Sequence, residues 1–83
     1  MQKDSIKNIQ NQIFNILKKN RSFRSKDFKY NNNIVEDSGL DSFEIMSFII
    51  EIESFYSISF NPEDLLHEEM HSIEGLAKYI KSN

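Results

Sequence analysis

The stretch EDSGLDSFEIMSF, residues 36–48, decides how the rest of the chain is interpreted. Acidic residues lead into a glycine, and an apolar run begins directly after Ser42. Asp41 followed three residues later by Glu44 has the spacing of a capping box, in which each side chain bonds to the backbone N–H of the other residue. The stretch therefore predicts a helix that begins at Asp41 or Ser42 and presents a serine hydroxyl in its first turn.

This second predicted helix, which runs to about Tyr56, has apolar residues on two faces. At about 100° per residue, a wide arc that should face the core contains Ile45, Phe48, Ile49, Ile52, Phe55 and Tyr56. A narrow stripe on the opposite side contains Phe43, Met46 and Ile50. Exposed apolar surface often marks a binding site, so we expect this stripe to be a docking face. The alternative is that the long segment before the helix covers it.

Helix one and the segment after it differ clearly in pattern. The helix is predicted from about residue 4 to 19, with Asp4 or Ser5 as its cap. Its apolar face consists of Ile6, Ile9, Ile13, Ile16 and Leu17. Residues 20–40 show neither a helical nor a strand period and predict a long loop. The side chains expected to hold this loop against the core are Phe23, Phe28 and Ile34.

Two shorter elements are predicted in the last third of the chain. Asn61 as cap and Pro62 at the first helical position indicate a short third helix that ends near His67. The fourth helix should begin near Ser72 and bury Ile73, Leu76, Ala77 and Ile80. Residues 57–60 alternate like a strand but are too few for a sheet, so we expect an extended connector. Its inward side chains would be those of Ile58 and Phe60.

These elements predict an all-α protein, a small four-helix bundle with a long loop between helices one and two and a short third helix. At 83 residues the chain is expected to form a single domain, residues 1–83, near the lower size limit for an unaided hydrophobic core. It contains no cysteine, which excludes disulfides, thiolate metal sites and a cysteine nucleophile.

Charge is divided unevenly along the chain. Residues 1–31 carry eight Lys or Arg and two acidic residues, a net +6, whereas residues 32–83 carry eleven acidic residues and two lysines, a net −9. Opposite potentials steer encounters, so the acidic part suggests a basic partner, although a merely solvated surface would look the same. The basic part lacks the interleaved aromatic residues of a nucleic-acid platform, and the acidic remainder would repel phosphates.

Neither a membrane segment nor a metal site is expected. The N-terminus lacks the apolar region and cleavage site of a signal peptide, and no apolar stretch is long enough to span a bilayer. These features favour a cytoplasmic protein. His67 and His71 could share a helix face, but two histidines are too few for a self-sufficient metal site.

Gly39-Leu40-Asp41-Ser42-Phe43 resembles the G-x-D-S-L signature of acyl carrier proteins and of the related aminoacyl and peptidyl carrier domains. The likeness covers nearly the whole chain and includes the acidic lead-in, the second helix and the starts of the third and fourth helices. These segments are residues 35–37, 45–56, 61–64 and 72–80. The resemblance implies a stand-alone carrier protein of the acyl-carrier fold, with no catalytic activity of its own and with its subtype left open.

The resemblance also implies that Ser42 is the attachment point of 4'-phosphopantetheine, with Gly39 shaping the turn and Asp41 capping the helix. The thiol of this arm would hold acyl or aminoacyl groups as thioesters. The implied partners are a phosphopantetheinyl transferase, a loading ligase or synthase, and later enzymes with basic docking surfaces. The implied partner-binding residues of the expected monomer are Phe43, Glu44, Met46, Ser47, Ile50, Glu51 and Glu53.

The chain departs from the family pattern at three points. Phe43 replaces the usual leucine, which enlarges the docking side chain and should narrow the range of partners. Ser38 stands where an apolar residue is common, which predicts a less firmly tethered turn. The second helix has only three acidic residues, fewer than carriers of fatty-acid synthesis usually have. A specialised pathway is therefore as good an expectation as fatty-acid synthesis.

Other functions fit the sequence less well. A hydrolase would require a nucleophile elbow around Ser42, and the chain has none. A calcium-binding loop with Gly39 at its sixth position would have Ile34 first and Ile45 twelfth, and neither residue can be a ligand. The remaining alternative is a helical adaptor that binds partners through the stripe without a prosthetic group.

Overall fold

A computed structural model describes residues 5–24 and 26–82, and these ranges are helical without any strand. The α-helices are α1 (Ile6–Lys18), α2 (Ile34–Asp37), α3 (Ser42–Tyr56) and α4 (Ile73–Ser82). Two 3-10 turns, Asp64–Leu66 and Glu68–His71, lie between α3 and α4. The predicted all-α class is confirmed, and two of the predicted elements differ in detail.

The first helix begins where the sequence predicts, because Ser5 caps it. Ser5 Oγ accepts a hydrogen bond of 3.2 Å from the Asn8 N–H, while the other candidate cap, Asp4, lies outside the described residues. The predicted apolar face is buried at Ile9, Ile13, Ile16 and Leu17. Ile6 is the exception: it is 37% exposed because it lies at the very start of the helix.

The core is formed where three long helices meet. α1 packs mainly against α4 and also against α3. α3 contributes Phe48 and Ile52, and α4 contributes the predicted set Ile73, Leu76, Ala77 and Ile80, all buried. Burial of one such side chain contributes about 1.5–3 kcal/mol, so this apolar contact is the main stabilising term of the bundle.

One residue assigned to the core face of α3 is exposed, while Ile45, Ile49 and Tyr56 are partly buried against the core. Phe55 is 53% exposed, and its ring packs edge-on against Tyr56 with the centroids 4.9 Å apart. It lies at the edge of the apolar arc and in the last turn of the helix, where the neighbouring helices no longer cover it. The prediction for Phe55 is therefore wrong.

The predicted loop of residues 20–40 contains the one-turn helix α2, so its description as loop throughout is wrong. Asn33 Oδ1 accepts the Glu36 N–H at 3.0 Å, and Asp37 Oδ2 accepts the Asn33 N–H at 3.1 Å. This reciprocal capping stabilises a helix too short to form unaided. An Asn followed by Glu three residues later was the signal in the sequence.

Aromatic side chains hold the remainder of this segment against α1. Phe28 and Ile34 are buried, as predicted, and Phe23 is half-buried. Phe23 lies edge-on to Phe14 of α1 with the ring centroids 6.0 Å apart, and Tyr30 packs on the same ring at 5.6 Å. The segment between α1 and α2 is thus fixed to the bundle by specific contacts.

The third predicted helix is a pair of 3-10 turns. The cap of the first turn is Glu63 and not Asn61, so the predicted cap and the predicted place of Pro62 are wrong, although Asn61 Oδ1 accepts the Glu63 N–H at 2.9 Å just before the turn. The His71 Nε2–H donates to the Leu65 carbonyl at 2.8 Å and joins the two turns. The connector before them behaves as predicted, with Phe60 buried and Ile58 half-buried.

The second 3-10 turn lies directly on the backbone of α4. A Cβ atom added at Gly75 would be 1.6 Å from the Glu69 carbonyl oxygen and 2.7 Å from the Glu69 carbonyl carbon. Only a residue without a side chain allows this approach. The glycine therefore has a packing reason, despite its low helix propensity.

No helix within residues 5–24 and 26–82 combines the length and the apolar character needed to cross a membrane.

We expect Gly75→Ala to destabilise the protein, although alanine is normally the better helix residue. The new methyl group must displace the Glu69 backbone, so the free energy of unfolding should fall by about 3 kcal/mol. The melting temperature should fall by roughly 10–20 °C. Lys78→Ala, on the exposed side of the same helix, is the matched control and should melt like the wild type. An unchanged or raised melting temperature of Gly75→Ala would contradict the packing described.

Candidate functional site

The turn before α3 is held by a buried serine. Ser38 is fully buried, and its Oγ–H donates to the Ile34 carbonyl at 2.5 Å while the same oxygen accepts the Leu40 N–H at 3.2 Å. The hydroxyl thus joins Ile34, the first residue of α2, to the turn. The expectation that a serine here loosens the turn is wrong, because the hydroxyl accepts the buried Leu40 N–H, which an apolar side chain could not do, and adds a second hydrogen bond to the Ile34 carbonyl.

The loop after α1 packs against the same turn. The Arg24 N–H donates to the Ser38 carbonyl at 3.2 Å, which ties the two segments together. Gly39 adopts a φ of +86°, and a Cβ there would be 2.8 Å from the Ser22 carbonyl oxygen. Both the left-handed backbone and the close approach require glycine. Gly39 therefore shapes the turn, as the sequence predicts.

The capping box at the start of α3 forms as predicted. Asp41 Oδ1 accepts the Glu44 N–H at 2.8 Å, and Glu44 Oε1 accepts the Asp41 N–H at 3.3 Å. The first backbone bond of the helix runs from the Ile45 N–H to the Asp41 carbonyl at 3.0 Å. The N–H groups of Ser42 and Phe43 precede this bond, so they have no partner within the helix.

Ser42 lies at the first helical position and is exposed to solvent. The free N–H groups and the helix dipole create a partial positive charge at this end of α3, which favours an anion bound nearby. The structure therefore brings Gly39, Asp41 and Ser42 together in one rigid turn, with the hydroxyl accessible from outside.

The second apolar stripe of α3 is open to solvent. Phe43 is 77% exposed, Met46 is 62% exposed and Ile50 is 58% exposed. The segment between α1 and α3 packs elsewhere, so the alternative that it covers the stripe is wrong. Beside Met46 lies an apolar pocket of about 170 Å³, which also includes the exposed side chain of Val35 and extends the apolar surface towards α2.

The acidic residues along α3 all have partners inside the protein. Glu44 belongs to the capping box, Glu51 Oε2 lies 2.6 Å from Lys19 Nζ, and Glu53 Oε2 accepts the Phe60 N–H at 2.7 Å. The Lys19–Glu51 pair is largely exposed and contributes little to stability. Glu53 is half-buried and also orders the connector, while Ser47 is exposed.

No cluster of three or more His, Cys, Asp or Glu side chains in the described ranges could hold a metal ion.

Comparison with protein families shows which family the chain belongs to. The model of the family described as phosphopantetheine attachment site matches residues 13–80, which is more than half of the chain. The chain belongs to this family. No curated protein gives a significant match.

Members of this family are carriers and not catalysts, so the predicted absence of enzymatic activity is confirmed, as is the predicted cofactor. The family attaches 4'-phosphopantetheine covalently to a serine. The residues of this carrier fit such a group, because an exposed serine lies at a helix N-terminus whose first N–H groups have no partner within the helix. The choice of Ser42 among the eleven serines stays a prediction.

Two phenylalanines of α3 test whether its two apolar faces have separate roles. We expect Phe43→Ala to leave the free energy of unfolding within about 0.5 kcal/mol of the wild type, because the ring is exposed. We expect Phe48→Ala to lower it by about 3–5 kcal/mol, because the ring fills the core. Urea unfolding followed by circular dichroism measures both. A large loss for Phe43→Ala would mean that the stripe is part of the core.

Proposed function

We propose that Ser42 carries 4'-phosphopantetheine, and that the protein is a single carrier domain which presents acyl or aminoacyl groups to partner enzymes. The observation that carries this proposal is the exposed hydroxyl at the start of a capped helix, beside an exposed apolar stripe. The thiol of the bound group supplies the thioester link to the cargo.

Three features of the turn suit Ser42 to accept this group. Gly39 adopts the left-handed backbone that the turn needs, the capping box fixes the first turn of α3, and the unpaired N–H groups favour the phosphodiester anion. Ser38, the other serine of the turn, is buried and hydrogen-bonded, so a transferase cannot reach its oxygen. These facts favour Ser42 over its nearest alternative.

The stripe of Phe43, Met46 and Ile50 is proposed as the surface that partner enzymes contact. Partners would offer an apolar recess for the Phe43 ring, which is the largest and most exposed of the three. Basic groups at the edge of the recess would contact Glu44, Ser47, Glu51 and Glu53. Since each of the three carboxylates already has an internal partner, apolar contact should contribute more to affinity than charge does.

The partners proposed on this basis are a phosphopantetheinyl transferase, a loading ligase or synthase, and the enzymes that act on the bound cargo. We place the carrier in the cytoplasm and in fatty-acid synthesis or a specialised acyl or aminoacyl pathway. The enlarged side chain at position 43 and the few acidic residues of α3 favour a dedicated set of partners.

Loading with the prosthetic group tests the proposal directly. The protein is incubated with coenzyme A, Mg²⁺ and a broad-specificity phosphopantetheinyl transferase, and its intact mass is measured. We expect the mass to rise by one phosphopantetheinyl unit, because the hydroxyl of Ser42 is accessible.

Ser42→Ala should show no gain, whereas Ser54→Ala, which removes an exposed hydroxyl further along α3, should load like the wild type. Equal loading of the two variants would refute the assignment of Ser42. Failure of the wild type under conditions that load a known carrier would instead favour a helical adaptor without a prosthetic group.

A further inference from the structure

Arg24 is fixed beside the turn that precedes Ser42. Its backbone N–H donates to the Ser38 carbonyl, and its Cβ and Cγ atoms each lie 3.6 Å from the position that a Cβ at Gly39 would occupy. The side chain of Arg24 therefore starts alongside Gly39. This glycine lies three residues before Ser42. This anchoring is a property of the fold, because the Ser22 carbonyl packs on the same glycine.

The guanidinium group of Arg24 has no carboxylate partner within the described part of the chain. The ion pair found there joins Lys19 to Glu51, nine residues beyond Ser42 along α3. Arg24 is exposed, so its charge is directed to solvent beside the turn. An arginine with a fixed backbone and an unpaired charged group is available to bind an anion.

The acidic surroundings of Ser42 favour a cation beside it. Glu36, Asp37, Asp41 and Glu44 lie within six residues of the serine, and a phosphodiester on Ser42 would add one more negative charge. Like charges close together at the surface repel one another, and salt screens this repulsion only partly. The helix dipole offsets part of this repulsion but falls off within the first turn.

We propose that Arg24 is a positioning residue for the prosthetic group, and that its guanidinium binds the phosphodiester attached to Ser42. The inference rests on the proposed function. Guanidinium can donate two parallel hydrogen bonds to one phosphate, which fixes direction as well as distance. The phosphopantetheine arm then leaves Ser42 in one defined direction, because rotation about the bonds of the phosphodiester is restricted.

The chain contains its own control for this proposal, because Arg21 and Arg24 are its only arginines. Arg21 is exposed on the same loop but makes neither of the contacts that tie Arg24 to the turn. In ¹⁵N-labelled protein the two side-chain Nε–H signals can be followed separately at low temperature and mildly acidic pH. We expect loading to shift the Arg24 signal several-fold more than the Arg21 signal.

The phosphorus atom provides a second readout that does not depend on enzyme activity. In loaded protein, Arg24→Gln should move the ³¹P signal of the phosphodiester towards that of free phosphopantetheine and sharpen it, because the group gains motion. Arg21→Gln removes the same charge and should leave the signal unchanged. Arg24→Lys, which keeps the charge but lacks the planar fork, should give an intermediate position.

The outcomes separate this inference from the proposal it rests on. Intact mass first establishes that the unit is on the protein and that Ser42→Ala lacks it; failure at this step refutes both. If loading succeeds but the two arginine signals shift equally, or the two Gln variants give the same ³¹P signal, Arg24 does not bind the phosphate and only the inference is refuted. The comparison of the two arginine Nε–H signals uses the wild-type protein, so it can be interpreted even if Arg24→Gln fails to fold.

Discussion

The close approach of the Ser22–Arg24 backbone to the Ser38–Gly39 turn is the constraint on which the site depends. It requires glycine at position 39, where φ is +86° and a side chain would collide with the Ser22 carbonyl. The Ser38 hydroxyl supports the same turn, because it donates to the Ile34 carbonyl and accepts the Leu40 N–H. Because both residues hold the turn, α3 starts at one defined residue, and the hydroxyl of Ser42 lies on a rigid support instead of a mobile loop.

α3 divides its apolar residues between stability and recognition. Phe48 and Ile52 fill the core, while Phe43, Met46 and Ile50 remain exposed, which is typical of a surface that binds another molecule. The acidic side chains of the helix serve the fold first, as a cap, an ion pair and a hydrogen-bond acceptor. The helix is thus a core element on one face and a surface for visiting enzymes on the other.

Local patterns in the sequence predicted the fold where the deciding contacts are themselves local. Apolar spacing gave α1 and α4, and the Asp41–Glu44 spacing gave the start of α3, since these depend on residues three or four apart. The second 3-10 turn could not be predicted, because it packs on the backbone of α4 through the approach of Glu69 to Gly75, a contact that no periodic pattern indicates. The burial of Ser38 and the placement of Arg24 could not be predicted either. Both follow from packing between the loop after α1 and the turn before α3, which are separate segments of the chain. The capping signal for α2 was present at Asn33 and Glu36, but a helix of one turn is too short to show an apolar period.

The most direct test of the account is to locate the prosthetic group within the loaded protein. Digestion by a protease that cuts after glutamate yields residues 37–44, DSGLDSFE, a peptide with two serines. Fragmentation in the mass spectrometer distinguishes Ser38 from Ser42. Three residues lie between the two serines, so backbone cleavage there leaves each serine in a different fragment. The account predicts that the phosphopantetheinyl unit is found on Ser42 in this peptide. Finding it on Ser38, or on any of the nine serines elsewhere in the chain, would contradict it.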